Sequence, residues 1–260
     1  MANIIPHVSR LFIYPIKSLD RVEVETATIL RSGALKRDRE YGIFDSSGFV
    51  NGKRNRKVHA IRSQFDLETN VVSLWLEKEA INKFQIDRDR DKLEHWLSDY
   101  FGLKVNIQQN LETGFPDDLV SPGATIISTA TLEAIASWYP QLDVTEVRKR
   151  FRSNIEISGV PAFWEDRLFT TPEETVSFQI GDVRFEGVNP CQRCVVIARN
   201  SQTGAVYPNF QKTFIGKRKE TLPQWSQRSR FNHFYRLAIN TRVPETEVGK
   251  TISLDDELKI

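Results

Sequence analysis

Apolar and polar residues alternate along much of this chain, and the alternation predicts strands. Residues 8–14 read as a first strand closed by Pro15, and residues 22–30 as a cleaner second strand that breaks at Gly33. Residues 41–45 form a third, which turns at Ser46-Ser47-Gly48 and returns through Phe49-Val50. Residues 59–65 and 71–76 continue the β pattern. Between residues 87 and 101 the period changes: Leu93, Trp96, Leu97, Tyr100 and Phe101 recur at helical spacing among charges, and Gly102 ends the run. That aromatic stripe predicts a core-facing helix. Residues 103–107 alternate again.

Residues 110–123 are rich in Gly, Pro, Asn and Asp, which marks a domain boundary or an active-site loop. A buried strand follows at 124–127. The hydroxyls of Ser128, Thr129 and Thr131 then cap a helix over 132–138. A helix N-terminus also suits anions, but capping is the reading preferred for each hydroxyl. Residues 144–152 predict a short helix carrying Arg148, Lys149, Arg150 and Arg152, with a strand at 154–157. Residues 176–180 and 183–185 flank Gly181-Asp182 in the pattern of a tight hairpin. Residues 195–198 are a short apolar run of strand character, followed by a turn over 200–204. Residues 230–239 read as a returning strand and 251–254 as the last. The fold class is β-rich α+β, opening on a meander that suits a barrel or sandwich.

Composition narrows the function classes. Lysine and arginine total 36 against 34 acidic residues in 260, a net charge of +2. That balance argues against bulk capture of nucleic acid, so any basic site must be local. The basic stretch over 51–59 (Lys53, Arg54, Arg56, Lys57) lacks interleaved aromatics and reads as a charged hairpin or as the rim of an anion site. Met1–His7 does not have the form of a signal peptide, and no apolar run reaches the ~18 residues of a membrane helix. A cytoplasmic protein without membrane contact is expected.

The two cysteines, Cys191 and Cys194, stand in Asn189-Pro190-Cys191-Gln192-Arg193-Cys194, between the hairpin and the apolar run. The pattern places both thiols where a loop enters a buried strand, with Arg193 beside Cys194 favouring the thiolate. Two cysteines make no disulfide framework and fit a reducing compartment. Four readings stand side by side: a structural zinc site, for which second ligand pairs are missing; a redox pair, for which the flanks are strands rather than a βαβ unit; two semi-buried hydrophobes; and a single cysteine ligating a soft-binding metal brought by a cofactor.

The motif Pro190-Cys191-Gln192-Arg193-Cys194, followed by Thr203-Gly204 and Pro208, resembles that of the MOSC family, the molybdenum-cofactor sulfurase C-terminal domains that include amidoxime-reducing components. Tyr14-Pro15-Ile16-Lys17-Ser18 and Arg37-Asp38-Arg39 resemble motifs of the β domain that precedes it, and Arg150-Phe151-Arg152-Ser153-Asn154-Ile155 resembles a further signature. The resemblance covers nearly the whole chain. It implies an N-terminal β-barrel-like domain over residues 1–110 and a C-terminal MOSC β-barrel domain with a few helices over 111–260. It implies Cys194 as the ligand to molybdenum, and Lys17, Ser18, Arg39, Arg152 and Asn154, with Arg193, as residues holding molybdenum cofactor (molybdopterin). Molybdopterin ends in phosphate, which lysine and arginine bind through charge-assisted hydrogen bonds. Phe163-Trp164-Glu165-Asp166 also has the family's look, its carboxylates expected to order a loop.

Relatives of this type reduce N-hydroxylated compounds by two-electron oxygen-atom abstraction at molybdenum. The chain shows neither the four cysteines of an iron–sulfur cluster nor a dinucleotide fingerprint after a strand. A separate ferredoxin- or cytochrome-type carrier is therefore expected to supply electrons, and a small N-hydroxylated compound to be the substrate. The alternative is a non-catalytic cofactor carrier or sulfur-transfer module bearing a persulfide on Cys194, and a third is a scaffold binding a partner protein.

Overall fold

The computed structural model describes residues 5–260, so Met1–Ile4 of the leader reading lie outside the described residues. The first half contains β1 (His7–Ile13), β2 (Val22–Val24), β3 (Thr26–Thr28), β4 (Tyr41–Asp45), β5 (Gly48–Phe49), β6 (Arg62–Asp66), β7 (Val71–Trp75), β8 (Asn82–Gln85), helix α1 (Arg90–Phe101) and β9 (Asn106–Gln109). The second contains β10 (Ile126–Ser128), helices α2 (Thr129–Ser137) and α3 (Val144–Phe151), β11 (Ile155–Ser158), β12 (Val176–Ile180), β13 (Val183–Gln192), helix α4 (Phe210–Glu220), β14 (Arg236–Arg242), β15 (Thr251–Ser253) and β16 (Leu258–Lys259). No helix among the described residues is long and apolar enough to cross a membrane.

The local signals act as expected at several points. Gly102 takes a left-handed φ of 72° and stops α1, whose Leu93, Leu97 and Phe101 are buried. Ser128 caps α2 by accepting from the Thr131 amide. β12 and β13 pair in register across the two-residue turn at Gly181-Asp182.

Topology departs from a simple meander. β1 pairs with β11, and the main sheet runs β16-β12-β13-β14-β10-β11-β1-β2. The reading of 22–30 as one strand fails: β2 joins this sheet while β3 pairs with β15. β4 and β6 start separate three-stranded sheets, β5-β4-β9 and β6-β7-β8. A division at residue 110 therefore does not follow the sheets, because β1 to β3 are bonded into the C-terminal half. One apolar core lines that sheet from Val8 and Leu11 to Ile239, and a second gathers Ile16, Tyr41 and Ile107 with α1. A third packs α2, α3 and α4 around Phe151 and Phe214.

Other expectations shift. Residues 195–198 form a 3-10 turn rather than a strand, since β14 pairing ends at Gln192↔Arg236 and leaves this run no partner. The thiols accordingly lie where a buried strand leaves the sheet, not where one begins. Residues 56–60 are a 3-10 turn before β6, the strand expected at 103–107 begins at Asn106, and the one expected from 230 begins at Arg236. β13 carries register shifts on both sides of Pro190, where a residue without an N–H is tolerated in a sheet. Gly187 is needed here: a Cβ would stand 1.6 Å from the Leu168 carbonyl oxygen.

The carboxylates of 163–166 are buried and structural. Asp166 pairs with Arg218 and accepts from Ser226, and Glu165 accepts from Thr131 at 3.0 Å. Burial, with Asp166 beside it, pushes the Glu165 carboxyl up to about 7 from an ordinary 4.5. The folded state thus holds a proton that the unfolded chain has lost above pH ~4.5, so this group's stabilisation is full at acid pH and declines as pH rises towards 7. The slope is on the order of 1 kcal/mol per pH unit. Glu165→Gln should flatten it. Urea midpoints at pH 5 and pH 7 measure this, and an equally steep decline in the variant would locate the effect elsewhere.

Candidate functional site

Backbone hydrogen bonds lace the distant motifs together. At the end of β1, the Phe12 amide donates to the Asn154 carbonyl at 2.7 Å, and the Asn154 side chain returns a bond to the Phe12 carbonyl at 3.1 Å. On the other side, the Tyr14 amide donates to Asp38 at 2.9 Å and the Arg39 amide to the Tyr14 carbonyl at 2.8 Å. The Lys17 amide donates to the Tyr41 carbonyl at 2.7 Å, fixing the Lys17-Ser18 turn beside β4. Arg193 donates to the Phe151 carbonyl at 2.5 Å, tying the cysteine motif to the end of α3. Segments more than 100 residues apart in sequence thereby meet.

They meet at a cleft of about 1390 Å³, lined by Lys17, Ser18, Arg39, Arg152, Asn154, Arg193 and Cys194, all seven residues singled out from the sequence. Ser18, Arg39 and Arg152 hold left-handed backbone, with φ of 76°, 51° and 54°. Such geometry is uncommon for residues with a Cβ and gathers where surrounding structure imposes it. Tyr14 lies between two guanidinium groups, Arg152 at 4.0 Å and Arg39 at 5.1 Å from its ring centre. Arg39 also pairs with Asp38. For Arg152, burial drives the pKa down, and Asp20 and Asp117 act on it only at a distance.

Twelve lysine and arginine side chains line the cleft against four aspartates, a surplus of eight in a chain whose net charge is +2. Several polar atoms of this lining are buried without a protein partner: Arg21 Nη1, Arg62 Nε, Arg150 Nη1, Arg193 Nε, Arg199 Nε, Ser121 Oγ and His59 Nε2. Leaving buried donors unpaired is costly, so this set fits an anionic group rich in acceptors. The volume exceeds the range of about 300–1,000 Å³ usual for small-ligand pockets.

The cysteines separate in role. Cys191 is buried, donates to Asn240 Oδ1 at 2.6 Å, and is pushed up to about 11 by burial against the opposing charge of Arg193. It remains a thiol at neutral pH. Cys194 is exposed to the cleft and makes no capping bond with its side chain. Arg193 packs over the Phe151 ring at 5.1 Å, and its charge acts on Cys191. The cation coupled to Cys194 is Arg199, buried and donating to the Gly52 carbonyl. Asn154 lines the cleft, but its amide is spent on Phe12, Thr125 and the strands around it, so it positions the wall. No cluster of three or more His, Cys, Asp or Glu among the described residues is placed to hold a metal unaided.

Sequence reasoning does not single out Tyr14, Asp117, Arg199 or His59. Tyr14 stands inside a quoted motif, His59 in the basic stretch over 51–59 and Asp117 in the loop over 110–123, but Arg199 carries no local signal.

The MOSC N-terminal beta barrel domain model matches residues 5–104, and the MOSC domain model matches residues 123–259. The chain belongs to the MOSC family. This MOSC chain is similar to the molybdenum cofactor sulfurase of Homo sapiens, 26% identical over 250 residues, covering 76% of the chain and 27% of that protein. It is 26% identical to that of Caenorhabditis briggsae over 258 residues, 88% of the chain and 34% of the relative. The Drosophila grimshawi protein is 27% identical over 242 residues, covering 80% and 30% respectively. The MOSC chain thus spans about a third or less of the length of these relatives.

Proposed function

We propose that this protein binds molybdenum cofactor in the cleft and reduces small N-hydroxylated compounds. The observation that carries the reading is the convergence of an exposed thiol, Cys194, with a surplus of cations on one large cleft. The residues present fit the group. Lys17, Ser18, Arg39 and Arg152 would hold the phosphate, Cys194 would bind the metal, and the unpartnered donors would take up the pterin's acceptors. When bound, molybdenum supplies two-electron redox chemistry. The overall conversion takes a hydroxylamine-type compound, two electrons and two protons to the parent amine and water, with electrons from a separate ferredoxin- or cytochrome-type protein. The chain's own contribution is to bind, orient and neutralise charge. Elemental analysis for molybdenum in protein from cofactor-producing cells, followed by amidoxime reduction with a reduced carrier, tests the reading.

A second reading follows from the names of the relatives, which are molybdenum cofactor sulfurases. An exposed thiol over a basic cleft also suits a persulfide carrier. Mass spectrometry separates the two: a sulfane adduct on Cys194 without reductase turnover would favour sulfur transfer.

Arg152 offers a variant that divides folding from binding. Arg152→Gly relieves a left-handed residue, so stability should change by no more than about 1 kcal/mol. Molybdenum content should fall severalfold, since a cation facing the phosphate is gone. Unchanged metal content at unchanged stability would remove Arg152 from the site.

A further inference from the structure

The loop between β9 and β10 puts a carboxylate where a ligand's anion would sit. Lys17 is buried, with 8% of its side chain exposed, and its Nζ donates to Asp117 Oδ1 at 2.6 Å and to the Phe115 carbonyl at 2.7 Å. Asp117 itself is 83% exposed. Its ionised form is opposed by burial yet held below the ordinary carboxylate range by Lys17, Arg39 and Arg152. These are three of the cations singled out for the cofactor. The adjacent Asp118 builds the loop, accepting from the Val120 and Ser121 amides and from Asn240. Asp117 contributes its ion pair with Lys17.

We infer that Asp117 is the specificity-determining residue of the cleft's anion end. Its carboxylate holds the position of a ligand's phosphate, so the cleft selects a doubly charged phosphate monoester over a singly charged sulfate ester or carboxylate. The inference rests on the reading of the cleft as an anion site. A tethered carboxylate competes at an effective concentration on the order of millimolar or more. A monoanion exchanges one unit of charge on Lys17 for another and gains little. A dianion brings a second charge to Arg39 and Arg152 and a third acceptor oxygen. Displaced Asp117 gives up its bond to Lys17 and turns fully to water, and the dianion's second charge on Arg39 and Arg152 offsets that loss.

The test uses the full chain from cells lacking the cofactor, with phenyl phosphate and phenyl sulfate as calorimetric probes at pH 7 and low salt. Wild type should bind phenyl phosphate at least about tenfold more tightly than phenyl sulfate. Asp117→Asn, which keeps the shape, should bind both more tightly and bring the ratio towards one. Lys17→Met should lose phenyl phosphate binding. Wild-type affinity for the phosphate should fall between pH 7 and pH 5, since its second proton has a pKa of ~6 while Asp117 stays ionised. An Asp117→Asn protein that binds phosphate no more tightly, or keeps the wild-type ratio, overturns the inference, as does absence of phenyl phosphate binding in both proteins. Molybdenum content is read separately. No metal in cofactor-producing cells together with the Asp117→Asn shift would sink the cofactor reading and leave this one standing. Metal loading without that shift would do the reverse.

Discussion

Replacing Cys194 by alanine is expected to strip the protein of molybdenum, from near-stoichiometric to background, while leaving the fold intact. The expectation divides cleanly because the side chain is exposed and caps nothing. Its loss should cost well under 1 kcal/mol in stability, as for most surface changes. A soft thiolate is the natural protein ligand for such a centre, and Cys194 is the exposed cysteine of the cleft. Cys191 lines it too, but burial keeps it protonated and its Sγ is committed to Asn240. Cys191→Ser should therefore retain metal. Elemental analysis of wild type and both variants, with thermal unfolding as a control, decides the matter. Metal in Cys194→Ala would reject Cys194 as ligand. No metal in wild type would reject the cofactor reading and turn attention to a persulfide or a scaffold.

The largest effect on stability should come from Arg218→Met. Arg218 is fully buried in α4, pairs with Asp166, and lies 4.5 Å from the ring centre of Phe163 and 5.0 Å from that of Phe231. Methionine fills much of the space but leaves the buried Asp166 carboxylate without its counter-charge, with Ser226 still donating to it. Removing one partner of a buried ion pair costs about 3–5 kcal/mol. Adding Asp166→Asn removes the stranded charge and should recover a good part of the loss. Urea unfolding reads both through the midpoint at constant slope. A single variant within about 1 kcal/mol of wild type would mean that water reaches Asp166 and relieves it. Neither residue lines the cleft, so the double variant should still load metal.

Much of the architecture was legible in the chain. The β-forming run over 8–14, the hairpin at Gly181-Asp182 and the helix ending at Gly102 are local patterns, and local sterics and hydrogen bonding decide them. The motifs around Lys17, Arg39, Arg152 and Cys194 named residues that all line one cleft. What was misread concerns partners. Residues 195–198 have the β-branched composition of a strand but no neighbouring strand to bond, so they coil into a 3-10 turn. β1 opens the N-terminal half in sequence, and its partner β11 lies in the C-terminal half, a pairing no local pattern records.

Sequence by itself determined the residue types, the spacing of the motifs and the pattern of strands and helices, because these depend on neighbours within a few positions. Only the tertiary structure decided where charge accumulates. A chain of nearly balanced charge gathers a surplus of eight cations on one cleft, and it ties Arg193 to Phe151 while bringing Arg199 into the field of Cys194. It also set Asp117 on Lys17 across 100 residues. Electrostatic interaction depends on distance through space, and a linear pattern does not record which distant charges the fold brings within a few ångströms.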